Sequence, residues 1–160
     1  MPAILKGIQQ CMEQGPLTGS YARDVRVVVN DGKMHPVDSN ELSFMLAARN
    51  AFNQAFREAG PKLLEPIYDV VVQTPEEYLG DVMSDLQNRR GVICGLDADN
   101  RRQQISAKVP LSGLLDYAPA LTACTKSSSS FEMNFASYEL CPAEIQQKLI
   151  EQHAKEVQEE

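Results

Sequence analysis

The segment IYDVVVQTPEEYLGDVMSDLQNRRG, residues 67–91, contains the clearest secondary-structure signals of the chain. Its first part, 67–73, is a β-branched run that is typical of a buried strand. Thr74, Pro75 and Glu77 follow with the pattern of a capping box. In this pattern Thr is the N-cap residue of a helix, Pro occupies the first helical position, and the Glu side chain accepts a hydrogen bond from the backbone N–H of the Thr. The stretch therefore predicts a strand that leads directly into a helix.

This helix carries apolar residues along one side, as an amphipathic helix does. These residues are Leu79, Val82, Met83 and Leu86. Arg89 and Arg90 follow where positive charge offsets the dipole of a helix C-terminus, and Gly91 comes just beyond them. The helix is therefore predicted to end at about Arg90.

The sequence after this stretch predicts two more strands, a second helix and a last strand. The strands at 92–96 and 104–109 flank a polar turn at 97–100, Pro110 opens the helix, and alternating apolar residues at 131–136 predict the last strand. The order is strand, helix, strand, strand, helix, strand. That order is typical of an α+β fold, the ferredoxin-like βαββαβ sandwich.

Two helices are predicted before this stretch. Apolar residues at helical spacing over 3–14 predict an amphipathic helix, which the Gly-Pro pair at 15–16 ends. A second helix is predicted over about 40–59, because Asp38 and Glu41 have the spacing of a capping box.

The sequence between these two helices predicts a strand and an exposed loop. Val25, Val27 and Val29 alternate with other residues as in a strand. Asn-Asp-Gly-Lys at 30–33 has turn chemistry, because Asp and Gly tolerate the positive φ of a tight turn. A helix-strand-helix portion therefore precedes the sandwich.

A stiff, proline-containing connection at 61–66 predicts a domain boundary. The predicted parts are residues 1–65, the helix-strand-helix portion, and 66–142, the sandwich. Residues 143–160 are mostly good helix formers with a sparse apolar face, which predicts a polar C-terminal helix or tail.

Charge and composition narrow the classes of function. The net charge of -7 argues against non-specific binding of duplex DNA but does not exclude RNA. The four cysteines form no C-x-x-C pair and have no histidine at metal-ligand spacing, so reduced thiols and no metal site are expected. No apolar run approaches the roughly 20 residues that cross a bilayer, and a cytoplasmic protein without a membrane partner is expected.

Five segments of the chain together resemble translation elongation factor G, in order and without a large insertion. The segments are GPLTG (15–19), NDGKMHPVDSNELSF (30–44), LLEPI (63–67), TPEEYLGDVMSDLQNRRG (74–91) and AKVPLSGLLDYAPALT (107–122). The resemblance implies that residues 1–65 are the C-terminal portion of the factor's domain IV and that 66–142 are its ferredoxin-like domain V. The GTPase domain and the opening strands of domain IV have no counterpart here.

No phosphate-binding loop is present in the sequence. The one Gly-Lys pair, Gly32 with Lys33, has Val27 where the first glycine of the motif should be. No enzymatic activity and no cofactor are therefore expected of this chain. The resemblance implies that GTP and Mg²⁺ belong to the G domain of a parent protein.

The resemblance also implies a site that contacts ribosomal RNA. In the family, domain IV reaches the decoding centre of the small subunit, and one of its tip loops matches Asp31, Gly32, Lys33 and His35. Such a loop should offer donors and a small backbone footprint to packed RNA. The alternative is a simple hairpin turn with an exposed histidine.

Domain V in the family touches the factor-binding centre of the large subunit, and the candidate contacts are Arg89, Arg90 and Lys126. The alternative role for the two arginines is to offset the dipole at the C-terminus of the helix, which requires no RNA partner. The family usually carries Thr-Gln-Gly-Arg where this chain has Thr-Lys-Ser-Ser at 125–128, so both the arginine and the glycine are lost.

These observations favour a ribosome-binding part of a translational GTPase that promotes tRNA and mRNA translocation. Because the loop at 125–128 is altered, a paralogue that serves ribosome recycling or ribosome protection is an alternative. A stand-alone ferredoxin-like interaction domain is a third alternative, and a small enzyme is disfavoured because no catalytic grouping is recognisable.

Overall fold

The computed structural model describes residues 1–37, 39–99 and 102–159, and these fall into two units. Unit 1 comprises Met1–Leu63 and Pro142–Glu160, and unit 2 comprises Leu64–Cys141. The C-terminal helix, α5 (Ala143–Glu159), is thus part of unit 1. Within that unit, the Gln146 side chain accepts a hydrogen bond of 2.9 Å from the backbone N–H of Leu63.

Unit 2 is built on one four-stranded antiparallel sheet with the strand order β2-β3-β1-β4. Its elements are β1 (Leu64–Pro75), α3 (Leu79–Asn88), β2 (Val92–Asp99), β3 (Arg102–Pro110), α4 (Tyr117–Cys124) and β4 (Ser130–Leu140). This is the predicted βαββαβ arrangement, so the ferredoxin-like α+β fold is confirmed. The predicted turn at 97–100 ends at Asn100, which lies outside the described residues.

The core of unit 2 lies between the sheet and its two helices. Alternate residues of the two central strands point inward, as the pleat of a strand requires. The fully buried members of this core are Val70, Val72, Ile105 and Val109 from the sheet, with Val82, Leu86 and Tyr117 from the helices. The β-branched run at 67–73 therefore lies in a strand that contributes buried residues to the core, as its composition predicts.

Both helices of unit 2 begin later than the sequence predicts. Thr74 does not cap α3 but pairs with Gln103 as part of β1, and its fully buried hydroxyl accepts a 2.8 Å hydrogen bond from the Ser129 hydroxyl. A 3-10 turn, Glu76–Tyr78, then leads into α3. Pro110 likewise ends β3. Pairing within the sheet outweighs the local capping signal at both places.

Unit 1 contains α1 (Pro2–Glu13) and α2 (Glu41–Glu58), close to the predicted bounds. The two helices bury Ile8, Cys11 and Phe52 between them. The side-chain oxygen of Asn40 caps α2 by accepting a 2.8 Å hydrogen bond from the backbone N–H of Ser43. The predicted capping residue Asp38 lies outside the described residues.

The GPLTG segment closes a tight loop after α1. The backbone N–H of Gly15 donates to the Ser20 carbonyl at 3.0 Å, and that of Gly19 donates to the Gly15 carbonyl at 2.9 Å. A Cβ at Gly15 would lie 2.3 Å from the Ser20 oxygen, and Gly19 has a φ of +70°. Glycine is therefore required at both positions, for space at the first and for conformation at the second.

The predicted strand at 25–29 is wrong. These residues lie in an extended segment without assigned secondary structure, and no described strand pairs with them. An alternating pattern of valines favours extended backbone, but a strand exists only when a neighbour supplies hydrogen bonds. The positive φ expected in the turn at 30–33 is also not found.

Candidate functional site

The loop that carries four of the predicted site residues is exposed in unit 1. Asp31, Gly32, Lys33 and His35 are all exposed, and Met34 between them has 73% of its surface accessible. No hydrophobic core residue of unit 1 lies in this loop. These four residues are therefore exposed at the surface of unit 1 and lie outside its core.

Short hydrogen bonds shape the backbone of this loop. The N–H of Gly32 donates to the Asp31 carboxylate at 2.7 Å. The N–H of His35 donates to the Ser39 hydroxyl at 2.6 Å, and the N–H of Ser39 donates back to the His35 carbonyl at 3.2 Å. No atom lies within 4 Å of a Cβ built on Gly32, so its missing side chain leaves open surface beside Lys33.

Arg89, predicted as an RNA contact, is held inside unit 2. Its Nε donates to Asp85 at 2.9 Å, and its Nη1 donates to the Gly113 carbonyl at 2.8 Å and to Asp116 at 2.6 Å. The guanidinium also lies 5.2 Å from the centre of the Tyr117 ring, and the side chain is only 13% exposed. These contacts tie the end of α3 to the start of α4.

The charges of this cluster stabilise one another. Burial lowers the pKa of Arg89, but the hydrogen-bonded carboxylates of Asp116 and Asp85 outweigh it and raise that pKa overall. The hydrogen bond from Arg89 lowers the pKa of Asp116. Burial raises the pKa of the Tyr117 hydroxyl, which has no hydrogen-bond partner among the described residues. The cluster is therefore a charged, structural contact at neutral pH.

Arg90 directly follows Arg89, the C-terminal cap residue of α3. The N–H of Gly91 donates to the Leu86 carbonyl at 2.8 Å and the N–H of Arg90 donates to the Gln87 carbonyl at 3.0 Å, which is the Schellman motif. Arg90 has the left-handed conformation, with a φ of +66°. Its guanidinium binds both carboxylate oxygens of Glu65 on β1, a two-pronged pair that holds the strained residue.

Lys126 lies in a strained turn after α4. Both Lys126 and Ser127 have positive φ, at +50° and +64°. The N–H of Ser127 donates to the Thr122 carbonyl at 2.9 Å, and fully buried Thr125 anchors the turn. The Lys126 side chain is exposed and forms no ion pair with a described residue.

The candidate contacts of unit 2 do not form one cluster. Arg90 is bound to Glu65 near the start of β1, whereas Ser129, three residues after Lys126, is bound to Thr74 near its end. The nine residue steps between these two points of an extended strand span about 30 Å. Arg90 and the Lys126 turn therefore lie toward opposite ends of the sheet.

Comparison with known proteins identifies both parts of the chain. Residues 1–60 match the family "Elongation factor G, domain IV", and residues 62–149 match "Elongation factor G C-terminus". The chain belongs to the elongation factor G family. A crystal structure of a Thermus thermophilus protein is similar, with a TM-score of 0.79 and 37% sequence identity. The match covers 96% of this chain and 23% of that chain, so the chain spans under a quarter of this relative.

The described residues of this chain contain no group of three or more His, Cys, Asp or Glu side chains that could hold a metal ion. All four cysteines are free, with Cys11 and Cys141 buried and Cys94 and Cys124 exposed. None of the helices over the described residues is both long and apolar enough to cross a membrane.

Sequence reasoning missed an aromatic cluster on unit 2. The Tyr68 and Phe135 rings meet edge to face with 5.9 Å between centres, and Tyr138 lies 5.2 Å from Phe135. Phe135 and Tyr138 are about half exposed, at 52% and 49%. The alternation at 131–136 predicts the strand, but no local signal shows that Phe135 is more exposed than Phe131, which is partly buried against the core.

Proposed function

We propose that this chain is a ribosome-binding part of a translational GTPase that promotes the movement of tRNA and mRNA during polypeptide elongation. The observation that carries the proposal is the match of residues 1–60 and 62–149 to two elongation factor G regions. The exposed loop at 31–35 supports it, because this loop offers charge and open backbone rather than packing.

The proposed contacts are with ribosomal RNA. In unit 1, the Lys33 ammonium, the His35 imidazole and the open backbone at Gly32 meet decoding-centre RNA, where shape and phosphate contacts dominate. In unit 2, exposed Lys126 meets the factor-binding centre of the large subunit. Arg89 contributes to RNA binding only through Nη2, because its other N–H groups are engaged.

The proposal assigns no nucleotide chemistry to this chain. GTP, Mg²⁺ and the hydrolysis that drives translocation are assigned to a separate GTPase domain, and the protein is expected in the cytoplasm with the ribosomes. Equilibrium dialysis of the chain with labelled GTP should therefore detect no binding. Micromolar binding of GTP would contradict the proposal that GTP binds only to a separate GTPase domain.

Co-sedimentation with purified ribosomes tests the proposal on the chain itself. Wild-type chain should pellet with ribosomes, and the bound fraction should fall as salt rises, because phosphate contacts are screened. Lys33→Ala should weaken binding several-fold. Lys148→Ala, which removes an exposed lysine of α5, is the matched control and should bind like wild type. Equal loss in both variants would contradict a specific role for the loop.

A second candidate is a paralogue that serves ribosome recycling or ribosome protection. One observation favours it: Lys126 and Ser127 hold left-handed conformations in the loop where the family usually has glycine. Whole protein assayed for both translocation and subunit splitting separates the candidates. Splitting without translocation would support the second candidate and overturn the first.

A further inference from the structure

The loop at 31–35 takes its shape from hydrogen bonds rather than from the core of unit 1. None of the described core residues of that unit lies in the loop. The Asp31 carboxylate accepts the N–H of its own neighbour, Gly32, and this bond restrains a single peptide unit. Gly32 has open space where a side chain would be. Packing against the core therefore does not fix the positions of Lys33 and His35.

Ser39 ties this loop to the residues that follow it. Its hydroxyl accepts the backbone N–H of His35 at 2.6 Å, and its own N–H donates to the His35 carbonyl at 3.2 Å. The second bond joins residues four positions apart, as in an α-turn. Pro36 lies within this turn, where its ring fixes φ and leaves no N–H to pair. Two hydrogen bonds from one residue thus restrain the peptide groups on both sides of His35.

Ser39 is held in place by the start of α2. It is partly buried, whereas residues 31–37 are exposed. Asn40, directly after it, is the N-cap of α2, and its side-chain oxygen accepts both the N–H and the hydroxyl of Ser43, at 2.8 Å and 3.0 Å. The helix in turn contributes Phe52 to the core of unit 1. The hydrogen bonds of Ser39 therefore connect the exposed loop to a packed helix.

We propose that Ser39 is a positioning residue that holds the loop at 31–35 in the conformation that binds ribosomal RNA. The proposal rests on the proposed function of the loop and adds a residue that acts through His35 rather than by touching RNA. A loop that is ordered before binding loses less conformational entropy when it binds, and its side chains start near the required geometry. The Ser39 hydroxyl supplies this order.

Amide hydrogen exchange of His35 in the free chain tests the positioning itself. Ser39→Ala removes the acceptor of the His35 N–H but keeps the backbone of residue 39 and the Asn40 cap, so exchange should become several-fold faster without a change in Tm. Ser39→Thr keeps a hydroxyl and should restore wild-type exchange. Ser20→Ala is the matched control, because it removes an exposed hydroxyl that binds Thr18 elsewhere in unit 1, and it should leave exchange at His35 unchanged.

Co-sedimentation of the same variants with purified ribosomes tests the effect on binding. Ser39→Ala should bind about fivefold more weakly, because a hydrogen bond that orders the loop is lost. Ser39→Thr and Ser20→Ala should bind like wild type. Weaker binding of Ser39→Ala without faster exchange at His35 would overturn the proposal, because Ser39 would then contact RNA directly. Faster exchange with undiminished binding would also overturn it.

Lys33→Ala separates this proposal from the function on which it rests. Loss of binding in Lys33→Ala but not in Ser39→Ala would overturn only the positioning role of Ser39. Wild-type binding by both variants would contradict RNA binding by the loop, and the positioning role would then fail with it.

Discussion

Arg89 and Lys126 carry the same charge but differ in what they contact inside unit 2. Arg89 has two carboxylates, a carbonyl and an aromatic ring as partners, whereas Lys126 is exposed. Both are candidate RNA contacts in the sequence, because the sequence shows charge but not partners. Two of the Arg89 partners, Gly113 and Asp116, lie 24 and 27 positions away, and no local pattern reveals them.

Arg89→Ala should destabilise unit 2 by about 2 kcal/mol, because it leaves two carboxylates and a carbonyl without a charged donor. Thermal unfolding of the variant and wild type measures this. Lys126→Ala is the control and should unfold within about 0.5 kcal/mol of wild type. Equal Tm values for wild type and Arg89→Ala would contradict the structural role.

The pH dependence of the same contact has a defined sign. Arg89 lowers the pKa of Asp116 below its usual value of 3.8, so the pair stabilises the fold above that pH and is lost as pH falls through the folded pKa. Asp116→Asn should therefore lower the Tm at pH 7 and leave it unchanged in strong acid. A Tm difference that grows as the pH falls would contradict this assignment.

Ser127→Gly should stabilise the chain by about 1 kcal/mol. Ser127 has a φ of +64°, a conformation that costs a residue with a Cβ more than it costs glycine. Ser84→Gly, in the middle of α3, is the matched control and should destabilise the chain, because glycine disfavours a helix interior. Chemical denaturation of both variants measures the pair. Destabilisation by Ser127→Gly would show that the serine makes a contact worth more than the strain.

At the scale of whole elements, sequence patterns predict which segments form helices better than where those helices begin. The strand and helix order from β1 to β4 follows from apolar periodicity together with turn and proline signals. The capping signals at Thr74 and Pro110 mislead because the sheet extends through both residues, and cross-strand hydrogen bonds are not visible in a local pattern. The same limit explains the predicted strand at 25–29, which has the composition of a strand but no described partner.

The glycine that the sequence pattern expects at the end of α3 is present, but the structure requires it for a different reason. Gly91 is expected as the flexible cap residue, yet Arg90 adopts the left-handed conformation and Gly91 is needed for space. A Cβ on Gly91 would lie 2.5 Å from the Leu86 carbonyl oxygen, whereas none of the surrounding atoms lies within 4 Å of a Cβ on Gly80.

Gly91→Ala should therefore destabilise unit 2 by about 2 kcal/mol, through a clash with backbone that has little freedom to move. Gly80→Ala, in the first turn of α3, should instead stabilise it by up to about 1 kcal/mol, because alanine favours helix. Thermal unfolding of the two variants checks the contrast. A neutral Gly91→Ala would mean that the α3 cap relaxes freely.

At the scale of the molecule, the two units differ in how completely their backbones are paired. Every described strand of unit 2 lies in one sheet over a continuous core, while unit 1 has helices, a glycine-bounded loop and the unpaired segment at 25–30. Hydrogen exchange on dilute chain should show strong protection in β1 and β3 and rapid exchange at 25–30. Equal protection at both places would contradict the extended, unpaired state of the segment.

Chemical footprinting of ribosomal RNA tests whether this chain binds the ribosome through the loop at 31–35, as proposed. Wild-type chain should protect nucleotides of the decoding centre, and His35→Ala should reduce that protection while its unfolding stays within about 0.5 kcal/mol of wild type, as for other exposed residues. Full protection by folded His35→Ala, or protection that avoids the decoding centre, would contradict binding through this loop.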